Sequence, residues 1–376
     1  MRFLHTADWQ LGMTRRFLGA AAQARFTDDR LAAVRDALEL ARREGCVFAV
    51  VSGDVFETNH VDRQTVVRAL DMLGAAKVPV FLLPGNHDPL DAGSVWLQRT
   101  FRERRPPNVT VLDSTLPIEA APGVELVGAP WPTKRPLRDL VAAACRDLAP
   151  STGALRVMVG HGCVDTLSPE RDDAAAISLA SAETAIREGR IHYLALGDRH
   201  SLTDVGETGR IRYAGAPEAT DYDEKAPGHV LVVDLDADSC RVTPHRVGRW
   251  TFLLHEADLA GDTDVDQVEA LLGALAAKDR MIVKLTLRGV LTLRQQARLD
   301  DILAHARDLL GALEEWERHT DLVVRPDDDD FSDLGLSGFA QTASERLRAL
   351  AAADGAEAVA ARDALGLLVR LARLAE

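Results

Sequence analysis

Five short motifs in this sequence combine carboxylates, amides and imidazoles, and four of them contain glycine. In chain order they are Asp8 with Gln10, Gly53-Asp54, Gly85-Asn86-His87-Asp88, Gly160-His161, and Gly197-Asp198 with His200. Oxygen and imidazole ligands suit divalent ions such as Mn²⁺, Fe²⁺ or Zn²⁺, and no cysteine lies within these motifs. One carboxylate can bridge two such ions, which then clamp the attacking and leaving oxygens of a phosphoryl displacement. The motifs therefore indicate phosphoester hydrolysis.

The elements that must position these motifs are predicted strands of an α/β sheet. Apolar runs alternate with helical periodicity in the first part of the chain, which is typical of βαβ units. The runs that precede the motifs are residues 2–6, 47–51, 80–83, 155–159 and 192–196. Carboxyl ends of the strands share one edge of an open α/β sheet, and glycine permits a tight turn there. We therefore expect the five motifs to converge on one crevice.

Taken singly, the motifs have structural alternatives. Asp8 with Gln10 could cap a following helix, and His161 or His200 alone could be a hydrogen-bonded structural histidine. The segment at residues 85–88 is more specific, because a turn favours Asn and Gly but has no need of His. The ordered set of five favours a metal centre over five separate structural features.

In these motifs the sequence resembles the calcineurin-like metallophosphoesterases, whose pattern is D-x-H, G-D, G-N-H-[DE], G-H and G-H-x-H. Within that superfamily it is similar to the SbcD-type DNA repair nucleases. The similarity includes LHTADW at 4–9, SGDVF at 52–56 and YAGAP at 213–217, followed by Glu224 and Gly228. It covers about residues 1–250. The resemblance implies a four-layer α/β/β/α sandwich with a small α/β cap domain and a helical C-terminal tail.

The resemblance also implies roles for individual residues. One metal site would use Asp8, Gln10, Asp54 and His200, and the other would use Asp54 as the bridge with Asn86, His161 and Asp198. His87 would contact the scissile phosphate or protonate the leaving oxygen, with Asp88 orienting it. The implied cofactors are two divalent ions, Mn²⁺ first, with Mg²⁺, Fe²⁺ and Zn²⁺ as alternatives.

Two positions depart from the family pattern, because Gln10 and Asp198 stand where histidines are expected. Glutamine is a neutral and weaker donor, so the first ion could be held loosely or through water. Asp198 adds a hard oxygen, which suits Mn²⁺ or Mg²⁺. Two outcomes stay open: a working centre with an altered metal preference, and a non-catalytic scaffold with a degraded site.

Three segments are predicted along the chain. Residues 1–256 form the phosphoesterase (nuclease) domain, residues 257–324 a capping domain, and residues 325–376 an acidic hinge with a helical partner-binding tail. The acidic, glycine-containing stretch at 257–266 marks the first junction, and the hinge is the aspartate run 327–330. The tail carries apolar positions at helical spacing, namely Leu347, Leu350, Leu367, Leu368, Leu371 and Leu374.

The resemblance implies that this tail binds an SMC-like coiled-coil ATPase of the SbcC type. No GxxxxGK[ST] motif occurs in the chain, so an ATP-driven step must belong to another protein. We therefore expect a DNA exonuclease or endonuclease subunit of an SbcCD-like repair complex. A phosphoesterase for small phosphodiesters or nucleotides is the alternative enzyme, and homodimer formation is left open.

The composition limits these expectations. Hydrophobic residues make up 47% of the 376 residues, which excludes disorder as the main state. The formal charge of −14 excludes DNA binding through a generally basic surface and predicts dependence on a partner. No apolar run of signal-peptide or membrane-spanning length occurs, so we expect a cytoplasmic protein without membrane contact. The four cysteines lack CxxC spacing and indicate neither a zinc knuckle nor a disulfide framework.

Two further features have open alternatives. Trp131, flanked by prolines, could wall the cleft, stack on a base or belong to the core. Arg15 and Arg16 could contact a phosphate at the rim of the site or form a solvated surface pair.

Overall fold

The apolar runs of the first 250 residues form two six-stranded sheets in a computed structural model. The structure describes residues 1–168, 173–324, 338–352, 355, 357–358, 360–361, 363–365 and 367–368. The strands of the first sheet are β1 (Arg2–Thr6), β2 (Ala49–Val51), β3 (Val80–Leu82), β4 (Val109–Val111), β11 (His229–Leu235) and β12 (Cys240–Arg246). Their spatial order is β12-β11-β1-β2-β3-β4, and β1 to β4 are parallel. The carboxyl ends of β1, β2 and β3 therefore share one edge.

The second sheet has the same size. Its strands are β5 (Ile118–Ala121), β6 (Val124–Gly128), β7 (Leu155–His161), β8 (Tyr193–Gly197), β9 (Thr203–Val205) and β10 (Ile211–Tyr213). Their order is β5-β6-β7-β8-β10-β9, with β6, β7, β8 and β10 parallel. β7 extends to His161, two residues beyond the predicted run, because it continues to pair with β8 up to Gly197.

The two sheets pack face to face and are flanked by helices. Phe3 and Phe81 of the first sheet meet Leu126, Val157 and Tyr193 of the second in a buried cluster. A second cluster joins the first sheet to α1 (Ala20–Arg43), α2 (Arg63–Ala75) and α3 (Arg99–Arg104). A third joins the second sheet to α4 (Leu140–Arg146) and α5 (Leu179–Arg187). The central strands are buried on both faces, which explains their continuous apolar runs and confirms the mixed α/β class.

The chain divides into two compact units, one of Met1–Arg16 with Gln23–Trp250 and one of Phe17–Ala22 with Thr251–Glu376. The second unit contains β13 (Thr251–Leu259), α6 (Asp262–Ala274), β14 (Met281–Leu291), α7 (Leu293–Leu309), β15 (Ala312–Glu315), β16 (Asp321–Val324) and α8 (Phe339–Ala351). β14 pairs in parallel with β13, β15 and β16, and α6 and α7 share an apolar cluster with this sheet.

The expected junction at residues 256/257 lies inside β13, which pairs with β14 from Thr251 to Leu259. Its acidic residues Glu256 and Asp258 are exposed, while Leu259 is buried. The rest of the acidic stretch lies beyond this strand, with Asp262 and Asp264 in the first turn of α6 after the N-cap Gly261. The roles of the cap and the tail stay predictions.

Part of the predicted tail can be described. Leu347 packs against a small cluster that includes Leu293 and Leu365, whereas Leu350 and Leu367 are exposed. The predicted hinge at 327–330, Leu371 and Leu374 lie outside the described residues. None of the described helices is both long and apolar enough to cross a membrane.

Candidate metal centre

Four of the predicted ligands follow strand ends in an unusual backbone conformation. Asp8, Gln10, Asp54 and Asp198 have φ values of 53°, 43°, 52° and 95°. Residues other than glycine rarely adopt positive φ, and such strain is often concentrated at functional sites. Main-chain hydrogen bonds hold the turns after β1 and β2 together, from Asp8 N to Gly53 O (3.1 Å) and from Gln10 N to Asp54 O (2.8 Å).

Three glycines permit side chains of the site to lie directly against the main chain. A Cβ atom on Gly53 would lie 2.1 Å from His161 Nδ1, and one on Gly85 would lie 2.2 Å from Asp54 Oδ1. A Cβ atom on Gly197 would lie 1.9 Å from Ser52 O. Any side chain at these positions would displace a neighbouring group of the site, so glycine is required there.

The carboxylates and one imidazole converge as the strand order predicts. Ligand atoms of Asp8, Asp54 and His161 all lie within 4.8 Å of one another, and all three side chains are buried. His161 Nε2 lies 3.4 Å from Asp54 Oδ1 and 3.7 Å from Asp198 Oδ1. The amide N–H of Asp198 also donates to Asp8 Oδ1 (2.9 Å). Both sheets therefore contribute to one cluster.

The hydrogen bonds of His161 fix which nitrogen faces this cluster. Nδ1 lies 2.8 Å from the carbonyl oxygen of Ser52, which can only accept, so Nδ1 carries a proton. Nε2 lies 2.7 Å from the side-chain amide of Asn86. If the amide oxygen faces an unprotonated Nε2, two acceptors lie in contact. Either Nε2 must then carry a proton or both atoms must bind a nearby cation. If the nitrogen faces it, Asn86 can donate to Nε2 and to Asp54 Oδ2 (3.0 Å).

His200 is also held through its Nδ1 atom, but by side chains rather than by the main chain. Its Nδ1 lies 2.7 Å from Thr220 Oγ1 and 3.0 Å from Glu224 Oε1. Its Nε2 lies 3.2 Å from Gln10 Nε2. Hydrogen bonds from Nδ1 to a carboxylate are the usual way in which proteins orient a metal-binding histidine. Sequence reasoning included Glu224 only through the resemblance and missed Thr220, which carries no motif of its own.

Gln10 has an acceptor that the described residues leave unsatisfied. The residue is 2% exposed, and its Oε1 atom is buried without a hydrogen-bond partner among the described residues. A buried carbonyl oxygen without a partner is destabilising. A cation beside Gln10 would satisfy this oxygen. The ligands around His200 therefore fit a divalent ion, as do those around His161.

The electrostatics of the cluster also favour a cation. Burial raises the pKa of Asp8 to about 6 and raises that of Asp198. Burial would raise the pKa of Asp54 too, but the facing His161 lowers it below the usual range. Burial lowers the pKa values of both imidazoles, yet neighbouring carboxylates more than offset this, raising that of His161 well above normal and that of His200 to about 9. The carboxylates thus draw protons onto both imidazoles, and divalent ions could replace that charge.

His87 is half-buried beside the cluster. Its backbone N–H donates to Asp54 Oδ1 (2.9 Å), and its ring Nδ1 lies 2.9 Å from the carbonyl oxygen of Glu57. Because a carbonyl oxygen only accepts, Nδ1 carries a proton and Nε2 is the nitrogen free to exchange one. This arrangement suits a group that exchanges a proton at the site.

Asp88 does not orient His87 as expected. It is fully buried, and its two carboxylate oxygens accept backbone N–H groups, Oδ2 from Phe56 (3.0 Å) and Oδ1 from Gly85 (2.8 Å). The prediction that Asp88 orients His87 is therefore wrong. The two hydrogen bonds instead tie together the turns after β2 and β3. Burial, with a further effect of Asp54, raises the pKa of Asp88 to about 7.

The structure also describes Trp131, Arg15 and Arg16, and a phosphate contact of either arginine stays a prediction. Trp131 is 8% exposed, and its indole N–H donates to the carbonyl oxygen of His161 (2.7 Å), so it belongs to the buried wall of the site. The Arg15 guanidinium donates to the carbonyl oxygen of Thr220 and braces the segment that orients His200. Arg16 is exposed.

Known proteins resemble the chain at several levels. Residues 1–133 match the calcineurin-like phosphoesterase family. The DNA double-strand break repair protein Mre11 of Haloferax volcanii is 24% identical over 383 residues, covering 94% of this chain and 78% of that protein. The SbcD subunit of the nuclease SbcCD of Staphylococcus saprophyticus is 27% identical over 107 residues, which is 27% of each chain.

Among solved structures, TT1561 of Thermus thermophilus superposes with a TM-score of 0.41 at 10% identity, covering 65% of this chain and 98% of that one. The family match and the two curated relatives agree with the resemblance expected from the motifs. Residues 1–133 thus match the calcineurin-like phosphoesterases, and the chain has distant homology to the Mre11 protein over most of its length and to the SbcD subunit over a shorter segment.

Proposed function

We propose that this protein is a metal-dependent DNA phosphodiesterase that serves as the nuclease subunit of an SbcCD-like repair complex. The observation that carries the proposal is the convergence of Asp8, Asp54 and His161 in one buried cluster. His200, held by Glu224, supports it from the other side. The relatives named for Mre11 and for the SbcCD nuclease favour DNA as the substrate.

Two groups of residues would hold the ions. The groups are Asp8, Gln10, Asp54 and His200, and Asp54, Asn86, His161 and Asp198. Bound Mn²⁺, or Mg²⁺, Fe²⁺ or Zn²⁺ in its place, would activate a water molecule and neutralise the charge that develops on the phosphoryl oxygens. The chain itself fixes the direction of both imidazoles through their Nδ1 atoms, so less reorganisation is needed when the substrate reacts.

His87 would supply the proton for the leaving oxygen. Its Nδ1 is committed to the Glu57 carbonyl oxygen, so the proton is delivered from Nε2 of the imidazolium form. Asp88 would act indirectly, by holding together the turns that carry Asp54 and His87. We therefore propose His87 as the general acid and Asp88 as a structural residue of the site.

The C-terminal tail is proposed to bind the coiled-coil ATPase, and residues 257–324 to act as the cap. Support for the tail comes from α8, where Phe339 is 89% exposed and Leu350 is also exposed. Exposed apolar side chains on a helix suit packing against a partner helix. The net charge of −14 agrees with a nuclease that relies on a partner to hold most of the duplex.

The proposal is tested by cleavage of linear DNA with Mn²⁺, alone and with the partner ATPase. Asp54→Asn should lower the rate by about 10³-fold, because several kcal/mol of charge stabilisation depend on the ions that it holds. His87→Ala should lower it by roughly 10²-fold or more through loss of proton transfer. The matched controls Asp113→Asn and His305→Ala change exposed residues of the same types and should retain activity.

A chromogenic phosphodiester assayed beside DNA separates the alternatives. Wild-type protein that hydrolyses only the small ester would be a small-substrate phosphoesterase. Inactivity toward both, even with the partner, would favour the scaffold. DNA cleavage by Asp54→Asn and His87→Ala at the wild-type rate would show that the mechanism is wrong.

A further inference from the structure

A basic loop at residues 132–138 connects β6 to α4. Its sequence is PTKRPLR, and the side chains of Lys134, Arg135 and Arg138 are all exposed. Within the described part of the chain, none of these three side chains makes an ion pair or hydrogen bond. Leu137 beside them is 89% exposed. The chain has a net charge of −14, so its overall charge does not attract an anion. Attraction of an anion must come from a local group of cations such as these three.

This loop begins at the wall of the metal centre. Trp131, the residue before it, donates its indole N–H to the carbonyl oxygen of His161 (2.7 Å). The main chain of Trp131 bonds to Pro84 (3.2 Å) and Leu90 (2.8 Å), which flank the segment with Asn86 and His87. The loop therefore leaves the site between the end of β7 and the turn after β3.

The loop is also held at its middle and at its far end. Pro136 is buried between the exposed cations. Asp139, the next residue after the loop, accepts hydrogen bonds from the backbone N–H groups of Ala142 and Ser178, each at 2.8 Å. A loop anchored in this way loses less conformational entropy on binding than a free tail would.

The segment on the opposite side of the centre carries exposed charges of both signs. Asp221 and Asp223 are exposed in the segment between Thr220 and Glu224, which orients His200. Lys225 follows Glu224 directly and is also exposed, so the exposed charges of this segment partly offset one another. The loop is the more basic of the two surfaces.

We propose that the loop at residues 132–138 binds the phosphate backbone of the nucleic-acid substrate on the His161 side of the metal centre. Lys134 lies three residues after Trp131, so their Cα atoms are at most roughly 11 Å apart. One DNA strand advances about 3.4 Å per nucleotide along the helix axis. The backbone of Lys134 would thus lie within about three nucleotides of the wall of the site. The proposal rests on DNA being the substrate.

The test compares two triple variants of the full chain that lose the same charge. Lys134→Gln/Arg135→Gln/Arg138→Gln removes the loop cations, and Arg102→Gln/Arg104→Gln/Arg105→Gln removes three exposed arginines elsewhere. The dissociation constant of a fluorescent duplex is measured at several salt concentrations in EDTA, where cleavage cannot interfere. Cleavage with Mn²⁺ and hydrolysis of a chromogenic phosphodiester are measured separately.

The loop variant should bind DNA at least tenfold more weakly than the arginine control. The slope of log K against log salt should become shallower by about 2 to 3, since each lost phosphate contact contributes about 0.9. Hydrolysis of the chromogenic ester should be unchanged, because the loop does not touch the reacting atoms. This pattern would support a phosphate-binding loop.

Equal weakening in both variants would reveal a general charge effect and overturn the proposal. Wild-type affinity in the loop variant would also overturn it, including the case where that variant instead loses binding to an acidic partner protein. If the loop variant loses DNA affinity as expected but wild-type protein with Mn²⁺ cuts no DNA, even with the partner ATPase, the nuclease function fails, and the loop is a DNA-binding surface without a role in cleavage.

Discussion

The two imidazoles of the metal centre are held by different means. His161 is 2% exposed, ends β7 and bonds to a main-chain carbonyl of Ser52, with Gly53 pressed against its ring. His200 lies in the loop after β8, where the side chains of Thr220 and Glu224 orient it. The main chain therefore fixes the orientation of His161, whereas side chains that could be replaced in sequence fix the orientation of His200.

One of the two departures from the family pattern lies on the side that side chains organise. Gln10, in place of the expected histidine, lies beside His200 on the side that side chains organise. Asp198 lies between the two, since its backbone N–H bonds to Asp8 and its carboxylate approaches His161. We infer that the His161 side binds its ion more tightly than the His200 side.

The largest effect is expected from Gly53→Ala on the His161 side. The new Cβ atom would lie 2.1 Å from His161 Nδ1, at a backbone φ of 89° that alanine disfavours. Backbone strain and overpacking together should lower the free energy of unfolding by about 3 kcal/mol. Mn²⁺ binding should fall with it. Chemical denaturation and calorimetric titration measure the two quantities.

Gly19→Ala is the control for this change, because its Cβ atom would meet nothing within 4 Å. It should leave stability and Mn²⁺ binding close to the wild-type values. A Gly53→Ala protein with wild-type stability and metal affinity would contradict the idea that the backbone fixes His161.

An intermediate effect is expected from Glu224→Gln on the His200 side. Glutamine can still accept the hydrogen bond from Nδ1, but it lacks the charge that strengthens the imidazole as a ligand. Loss of such an orienting group typically costs roughly 10- to 100-fold in metal affinity. Calorimetric titration with Mn²⁺ should show the loss for one ion, with the other ion unaffected.

Glu207→Gln, at an exposed position, is the matched control and should bind both ions normally. Glu224→Asp should recover part of the affinity, because the charge returns at a shorter reach. Equal weakening of both ions by Glu224→Gln would show that the two sides are not independent.

The smallest effect is expected from Gln10→Ala. Its buried Oε1 atom has no hydrogen-bond partner among the described residues, and we expect it to be a weak ligand. Removing it should lower the affinity for the His200-side ion by a few-fold, since a neutral amide oxygen is a weaker donor than a carboxylate. The exposed Gln64→Ala is the control. Unchanged or tighter Mn²⁺ binding would exclude Gln10 as a ligand.

The sequence predicted the elements that carry the site more reliably than the contacts within it. Buried apolar runs marked β1, β2, β3, β7 and β8, because strands buried on both faces need continuous hydrophobic sequence. Convergence of Asp8, Asp54 and His161 then followed from strand polarity. The strained turns at Asp8 and Asp54 could not be predicted, because they depend on hydrogen bonds between loops that are distant in sequence.

Three contacts could not be predicted from the sequence, one made by Thr220 and two made by Asp88. Thr220 lies 20 residues after His200 and has no periodic or motif signal. Asp88 adjoins His87 in sequence, but its side chain turns to the backbone of Phe56 and Gly85. Sequence proximity indicated an acid that orients His87, whereas burial without a charged partner favours a carboxylate that accepts backbone N–H groups.

Titration of the wild-type chain with Mn²⁺, beside Asp54→Asn, tests the central claim most directly. Wild type should bind two ions with unequal affinity, and Asp54→Asn should lose both strong binding steps because it removes the shared carboxylate. The exposed variant Asp113→Asn should match wild type. Fewer than one ion per wild-type chain, or full Mn²⁺ binding by Asp54→Asn, would contradict a metal centre built on this cluster.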